Sequence, residues 1–188
     1  LIAAATAQPV GQARADAVDC AVVKCVALTF DDGPAADTDR LLGILTANNA
    51  SATFFLIGDK VAADPDAARR IADAGMEIGN HTWSHPDLTA AAAADIPAQL
   101  RRATDAIVEA TGQRPRLLRP GFGKVDDRVL AEAGRQGLAV VNWDVVPYDW
   151  LHAPDTAASR ALLMAHVEPG SVVLLHDIFA STVDLVEE

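Results

Sequence analysis

The sequence is poor in cysteine, in aromatic residues and in positive charge. Two cysteines in 188 residues exclude a disulfide-stapled miniature fold and a multi-cysteine zinc ribbon. Cys20 and Cys25 read either as a disulfide or as two buried thiols. A disulfide would close a loop of about six residues and contribute roughly 2 kcal/mol on the chain-entropy model. It would also place the chain outside the cytoplasm. Fifteen basic residues stand against 26 acidic ones, a net charge of -11, which argues against nucleic-acid partners and against anchoring on acidic lipids. The same charge suits a neutral or cationic ligand, but it also simply keeps a protein soluble. No apolar run of about 18 residues occurs, so no membrane span is expected. Residues 1–7 read as the tail of a secretion signal or the start of a mature form. They lack a basic start and a full apolar core, so no signal peptide is assigned. Residues 1–19 are expected to form a flexible N-terminal arm. Residues 20–188 are expected to form one domain, large enough for a real core. A monomer is expected.

What the sequence has is alternation. Residues 22–30, 52–57, 76–79, 116–118, 139–143 and 172–175 predict strands. Helices are predicted over residues 39–48, 64–74, 90–111, 126–135 and 156–166, with a last one from about Ser181. Asp64 reads as an N-cap with Pro65 in the first turn. Pro97 marks either the true start of the fourth-strand-preceding helix or a kink in it. No strand hairpin is visible. Parallel strands with helical crossovers follow, in an open doubly wound sheet or a barrel. In both, chemistry gathers at the C-terminal strand ends, where Asp31, Asp32, Arg119, Asp149 and His176 fall.

The pair Asp31 and Asp32 stands in residues 28–34 (Leu-Thr-Phe-Asp-Asp-Gly-Pro), and roughly fifty residues later come His81 and His85 in His-Thr-Trp-Ser-His. One Asp plus two His is a facial ligand set for a divalent ion. Histidines four apart would share a face if the segment were helical. The other Asp would stand beside the metal as a base, which predicts metal-assisted hydrolysis.

These residues together resemble the polysaccharide deacetylases of carbohydrate esterase family 4, the NodB-like domain. Five short motifs have counterparts in the family's order: residues 29–34, 81–85, 119–123 (Arg-Pro-Gly-Phe-Gly), 143–150 and 174–177 (Leu-Leu-His-Asp). The resemblance runs from about Cys20 to Asp177. It implies an α/β fold, a distorted (β/α) barrel with fewer than eight repeats. It also implies a metal triad of Asp32, His81 and His85, with zinc the default ion and cobalt or nickel alternatives. Asp31 would be the base that activates a water on the metal, and Arg119 the residue that holds Asp31. His176 would be the general acid, kept charged by Asp149. The Phe122 amide would face the oxyanion, Leu174 would line the acetyl pocket, and Trp150 would wall the groove.

The sequence departs from the family pattern in three places. Gly121 stands where a second proline is frequent, and Val146 stands where an Asp is frequent. The family domain usually continues past its fifth motif with a helix and a final strand. The chain is therefore expected to lack the last strand and to expose a sheet edge. The resulting reading is a secreted or cell-envelope, metal-dependent deacetylase. Its partner would be an acetylated polysaccharide: N-acetylglucosamine units of peptidoglycan or chitin, or the O-acetyl groups of xylan. A small-molecule amidase and a non-catalytic carbohydrate-binding domain on the same fold are the alternatives.

Overall fold

The computed structural model describes residues 22–187. Cys20 and the expected arm over residues 1–19 lie outside the described residues. Among the described residues a six-stranded parallel sheet runs in the order β5-β4-β3-β2-β1-β6. Its strands are β1 (Ala27–Asp31), β2 (Ala52–Leu56), β3 (Glu77–Asn80), β4 (Leu117–Leu118), β5 (Ala139–Val140) and β6 (Val172–His176). The crossovers carry α1 (Thr38–Ala47), α2 (Gly58–Ala63), α3 (Pro65–Asp73), α4 (Ile96–Thr111), α5 (Asp127–Arg135), α6 (Asp149–His152) and α7 (Thr156–His166), and α8 (Ala180–Glu187) follows β6.

The sheet curls into a distorted barrel. The chain leaves β5 and crosses to the far edge, where Val145 bridges Val173 of β6. The Asp144 and Val145 amides both donate to the Val172 carbonyl at 3.2 Å, and the Leu174 amide donates to the Val145 carbonyl at 2.9 Å. The outer edge of β6 is thus partly covered by the segment carrying the fourth motif. It is not the bare edge that was expected.

Alternation along the strands separates two environments. Phe30, Phe54, Leu56, Val173 and Leu175 join Leu41, Leu45, Val61 and Ile71 in one core cluster between sheet and helices. Thr29, Asp31, Phe55, Leu174 and His176 alternate with them and face the other way, toward the barrel axis. A second cluster of Leu88, Ile96, Leu100, Leu118, Val129 and Leu138 packs α4 and α5 on the β4–β5 end.

Local signals explain most boundaries. Asp64 caps α3 through the Ala67 amide at 3.0 Å, and Pro65 occupies the first turn. Asp126 caps α5 through the Arg128 and Val129 amides. Gly112, at φ +71°, ends α4. The other boundaries moved for physical reasons. β1 starts at Ala27, which pairs with Val172, the first residue of β6; upstream, Val22 and Val23 are exposed. α4 starts at Ile96, not at residue 90, because a helix through Pro97 would drive its ring against the Ala93 carbonyl. β5 is two residues long. The short helices α2 and α6 were not expected, since neither is long enough to show a periodicity.

Candidate active site

Strand register assembles the site. Asp31 at the end of β1 pairs with His176 at the end of β6. Asn80 at the end of β3 pairs with Leu118 at the end of β4, so the next residues, His81 and Arg119, emerge side by side. The sequence-predicted site residues of four strands therefore meet at one end of the barrel.

Asp31 is buried, and its Oδ1 accepts from Arg119 Nη1 at 2.7 Å. Arg119 is 0% exposed, yet every part of its guanidinium is employed. Nη1 also donates to Thr29 Oγ1 at 2.7 Å, Nε donates to the Val141 carbonyl at 3.1 Å, and Nη2 donates to the Asn142 carbonyl at 3.0 Å. Its Cζ lies 4.2 Å from the Phe55 ring centroid and 5.4 Å from that of Trp143. Trp143 is half-buried and serves as this second face. Thr29 holds both sides of the arrangement, since its hydroxyl donates to the Val173 carbonyl at 2.6 Å.

Consecutive residues of a strand point to opposite faces, so Asp31 and Asp32 share a site only because the strand breaks between them. Asp32 has φ +72°. That left-handed backbone costs a non-glycine residue on the order of 1–3 kcal/mol. Its Oδ1 lies 3.3 Å from His81 Nε2 and 3.5 Å from His85 Nε2. The two histidines are not on a helix. They flank a turn in which Thr82 has φ +68° and His85 has φ +55°, and their ring centroids are 4.7 Å apart.

Three further residues hold this turn. The Asn80 side chain accepts from the Thr82 amide and donates to the Leu100 carbonyl and Thr104 Oγ1. Gln99 Oε1 accepts from the Trp83 and Ser84 amides. Thr82 Oγ1 accepts from the His85 amide. His81 Nδ1 lies 2.5 Å from the Arg119 carbonyl. An N–H there fixes the tautomer and leaves Nε2 as a lone pair facing Asp32.

The donor set fits a divalent ion. Asp32, His81 and His85 each present one ligand atom, all within 4.8 Å of one another. Asp32 Oδ1 is buried with no hydrogen-bond partner, an expensive arrangement unless a cation satisfies it. Burial disfavours the charged form of Asp32, but its histidine neighbours, His81 first, outweigh it and hold the carboxyl at about 2. It remains an anion at any working pH, as a ligand must.

On the opposite wall, His176 Nδ1 is 3.0 Å from Asp149 Oδ1. Asp149 Oδ2 accepts from the His176 amide and from Thr182 Oγ1, each at 2.8 Å. Burial works against the imidazolium, yet the hydrogen bond and charge of Asp149 outweigh it and raise His176 above the ordinary imidazole value. Leu174 is buried on the axis side, while Trp150 is 39% exposed with its ring 5.1 Å from His176. Phe122 has φ +62° and sets its exposed ring 4.7 Å from His85. Gly121 lets the loop pass close to the histidine turn, since a Cβ there would lie 2.9 Å from the Pro86 carbonyl oxygen.

The last residue of the fifth motif, Asp177, turns away from this chemistry. It accepts a hydrogen bond from Thr38 Oγ1 beneath the β1–α1 turn, and burial pushes its carboxyl up to about 6. Gly33 is needed above it, since a Cβ would lie 2.7 Å from Asp177 Oδ1. His152 contacts Ser159 Oγ at 3.0 Å, and His166 is exposed. Neither belongs to the site.

The pattern of the polysaccharide deacetylases matches residues 19–141. A chitooligosaccharide deacetylase of Bradyrhizobium sp. (strain ANU 289) is 39% identical over 171 residues, covering 90% of this chain and 78% of the relative. A peptidoglycan-N-acetylglucosamine deacetylase of Listeria monocytogenes is 34% identical over 160 residues. That match covers 85% of this chain but only 34% of the relative, so the chain spans about a third of its length. The solved structure of a family 4 carbohydrate esterase from Streptomyces lividans in complex with acetate superposes with a TM-score of 0.83. It is 35% identical, with 88% of this chain and 85% of that chain covered.

Proposed function

This chain belongs to the polysaccharide deacetylase family, and we propose that it hydrolyses the N-acetyl groups of a glucosamine-containing polymer, chitin or peptidoglycan, with a divalent metal ion at Asp32, His81 and His85. Hydrolytic deacetylation of a polysaccharide follows from the family. The N-acetylated polymer is favoured by the relatives, a chitooligosaccharide and a peptidoglycan-N-acetylglucosamine deacetylase, and one observation carries the metal-assisted chemistry. A buried carboxylate paired to an arginine, a three-residue ligand set and a carboxylate-supported histidine all converge on one end of the barrel.

A bound divalent ion, most simply zinc, supplies Lewis acidity toward the acetyl carbonyl and toward the attacking water. Asp31 takes the proton from that water as it adds to the carbonyl carbon. Arg119 fixes Asp31 in place through the 2.7 Å ion pair, which a base requires. The Phe122 amide donates to the developing oxyanion, with Leu174 against the acetyl methyl. His176, charged through Asp149, gives its proton to the sugar nitrogen, and the amine and acetate separate. Trp150 and Phe122 form an exposed aromatic rim, which suits a polymer lying across the site better than a small amide enclosed in a pocket. The residues named in catalytic roles are all present, with Asp31 held by Arg119 and His176 by Asp149, which argues against a non-catalytic domain.

Chitin and peptidoglycan lie outside the cytoplasmic membrane, and a Cys20–Cys25 disulfide would fit that setting. Among the described residues no helix is long and apolar enough to cross a membrane.

The deciding experiment is acetate release from chitin oligomers, peptidoglycan and acetylated xylan, assayed as purified, after chelation, and with zinc or cobalt restored. Release from an N-acetylated polymer, stopped by chelator and regained with metal, is the expected result. Turnover indifferent to chelation, or confined to xylan or to small amides, would overturn this reading. Asp149→Asn supplies a second check. Removing the charge that raises His176 moves the alkaline limb of the kcat profile to lower pH. An unmoved limb would take the acid role from His176.

A further inference from the structure

We infer that Lys60 is a positioning residue of the metal centre, and that the start of α2 is the bracket holding its two halves together. The inference rests on the metal reading above. The ligands come from two separate loops: Asp32 follows β1, while His81 and His85 follow β3. The strands that carry them flank β2, whose C-terminal end therefore lies between the two loops. Ile57 and the first two residues of α2 bind both loops. The Ile57 amide donates to the Gly33 carbonyl at 3.0 Å, the Gly58 amide to the Thr82 carbonyl at 2.9 Å, and the Asp59 amide to the Trp83 carbonyl at 2.9 Å. Gly58 has no room for a side chain, since a Cβ would meet Ala103 Cα at 2.6 Å and the Trp83 ring at 2.8 Å.

Lys60 completes the bracket with a side chain. Its Nζ donates to the carbonyl oxygen of Asp32 itself, at 2.7 Å. Asp32 is the residue whose left-handed backbone turns its carboxylate toward the histidines. A charge-assisted bond to its carbonyl opposes relaxation of that peptide, and the half-buried setting shields the bond from water. Lys60 touches no ligand atom, so it acts through Asp32. Outer partners of this kind typically change metal affinity 10- to 100-fold when removed.

The test compares Lys60→Met and Lys60→Arg with the parent protein. Zinc affinity is measured by competition with a chromophoric chelator, coordination by the visible absorption of the cobalt form, and melting with and without zinc. Lys60→Met is expected to bind zinc at least about tenfold more weakly and to alter the cobalt absorption. Its zinc-loaded form should lose more melting temperature than its chelated form, because weaker binding means less linked stabilisation. Lys60→Arg should recover part of the affinity. If Lys60→Met does not fold, Lys60→Gln, too short and uncharged, carries the same expectation. A folded Met or Gln variant with parental zinc affinity and cobalt absorption would overturn the inference. A parent protein that binds no zinc or cobalt would instead overturn the metal reading beneath it.

Discussion

Asp31→Asn is expected to lower kcat by about a thousandfold, the middle of the range for losing the general base proposed above, with the metal still bound. Asparagine matches the carboxylate in shape but cannot take a proton. The metal should be indifferent, because Asp31 stands outside the ligand set, with Oδ2 3.7 Å from His81 Nε2. The fold should also tolerate the change. Arg119 keeps acceptors in Thr29 Oγ1 and in the carbonyls of Val141 and Asn142, so its charge is not left without hydrogen bonds. KM should move little, since the loss falls on proton transfer and not on sugar binding. The measurement is kcat and KM together with bound zinc per chain. Near-parental turnover with metal in place would assign the base elsewhere.

Arg119→Met has the largest expected effect on stability. The ion pair with Asp31 has side chains 0% and 4% exposed. Removing one member of such a pair leaves an uncompensated buried charge, at a cost of about 3–5 kcal/mol. For a chain of this size that lowers the melting temperature by on the order of 10 °C. Activity falls as well, because Asp31 loses the partner that fixes its carboxylate. Arg119→Lys should recover only part of the stability. A lysine can neutralise Asp31, but it cannot reach the Val141 and Asn142 carbonyls together or lie flat between Phe55 and Trp143. Thermal melts of the Met, Lys and Asp31→Asn variants test the argument. If Arg119→Met melts within a degree or two of the parent, the pair carries no stability.

The contrast between the two variants follows from satisfaction of buried groups. An arginine held by several acceptors survives the loss of one partner. A buried carboxylate that loses its arginine does not survive so well. Thr29 belongs to the same arrangement. Sequence reading passed over it because a threonine on a strand carries no signal beyond β-propensity. Gln99 and Lys60 were equally silent. Each is a polar residue on or near a helix, and its purpose appears only when the helix is laid against the histidine turn or the Asp32 peptide.

The sequence by itself determined the alternation of strands and helices, the helix starts at Asp64 and Asp126, and the ordered motifs carrying Asp31, Asp32, His81, His85, Arg119, Asp149 and His176. These features are written locally, in spacing, caps and short strings, so one dimension suffices to read them. Tertiary structure alone decided how the motifs meet. The register that sets Asp31 beside His176 is a property of two strands more than a hundred residues apart. The histidines meet through positive-φ turns and not through a helix, because Asn80, Gln99 and Thr82 hold backbone that would otherwise relax. The start of β1 was fixed by where β6 begins, and the cover on β6 by where the chain crosses from β5. Hydrogen bonds between distant segments have no sequence period, so packing, not pattern, set the geometry on which the chemistry depends.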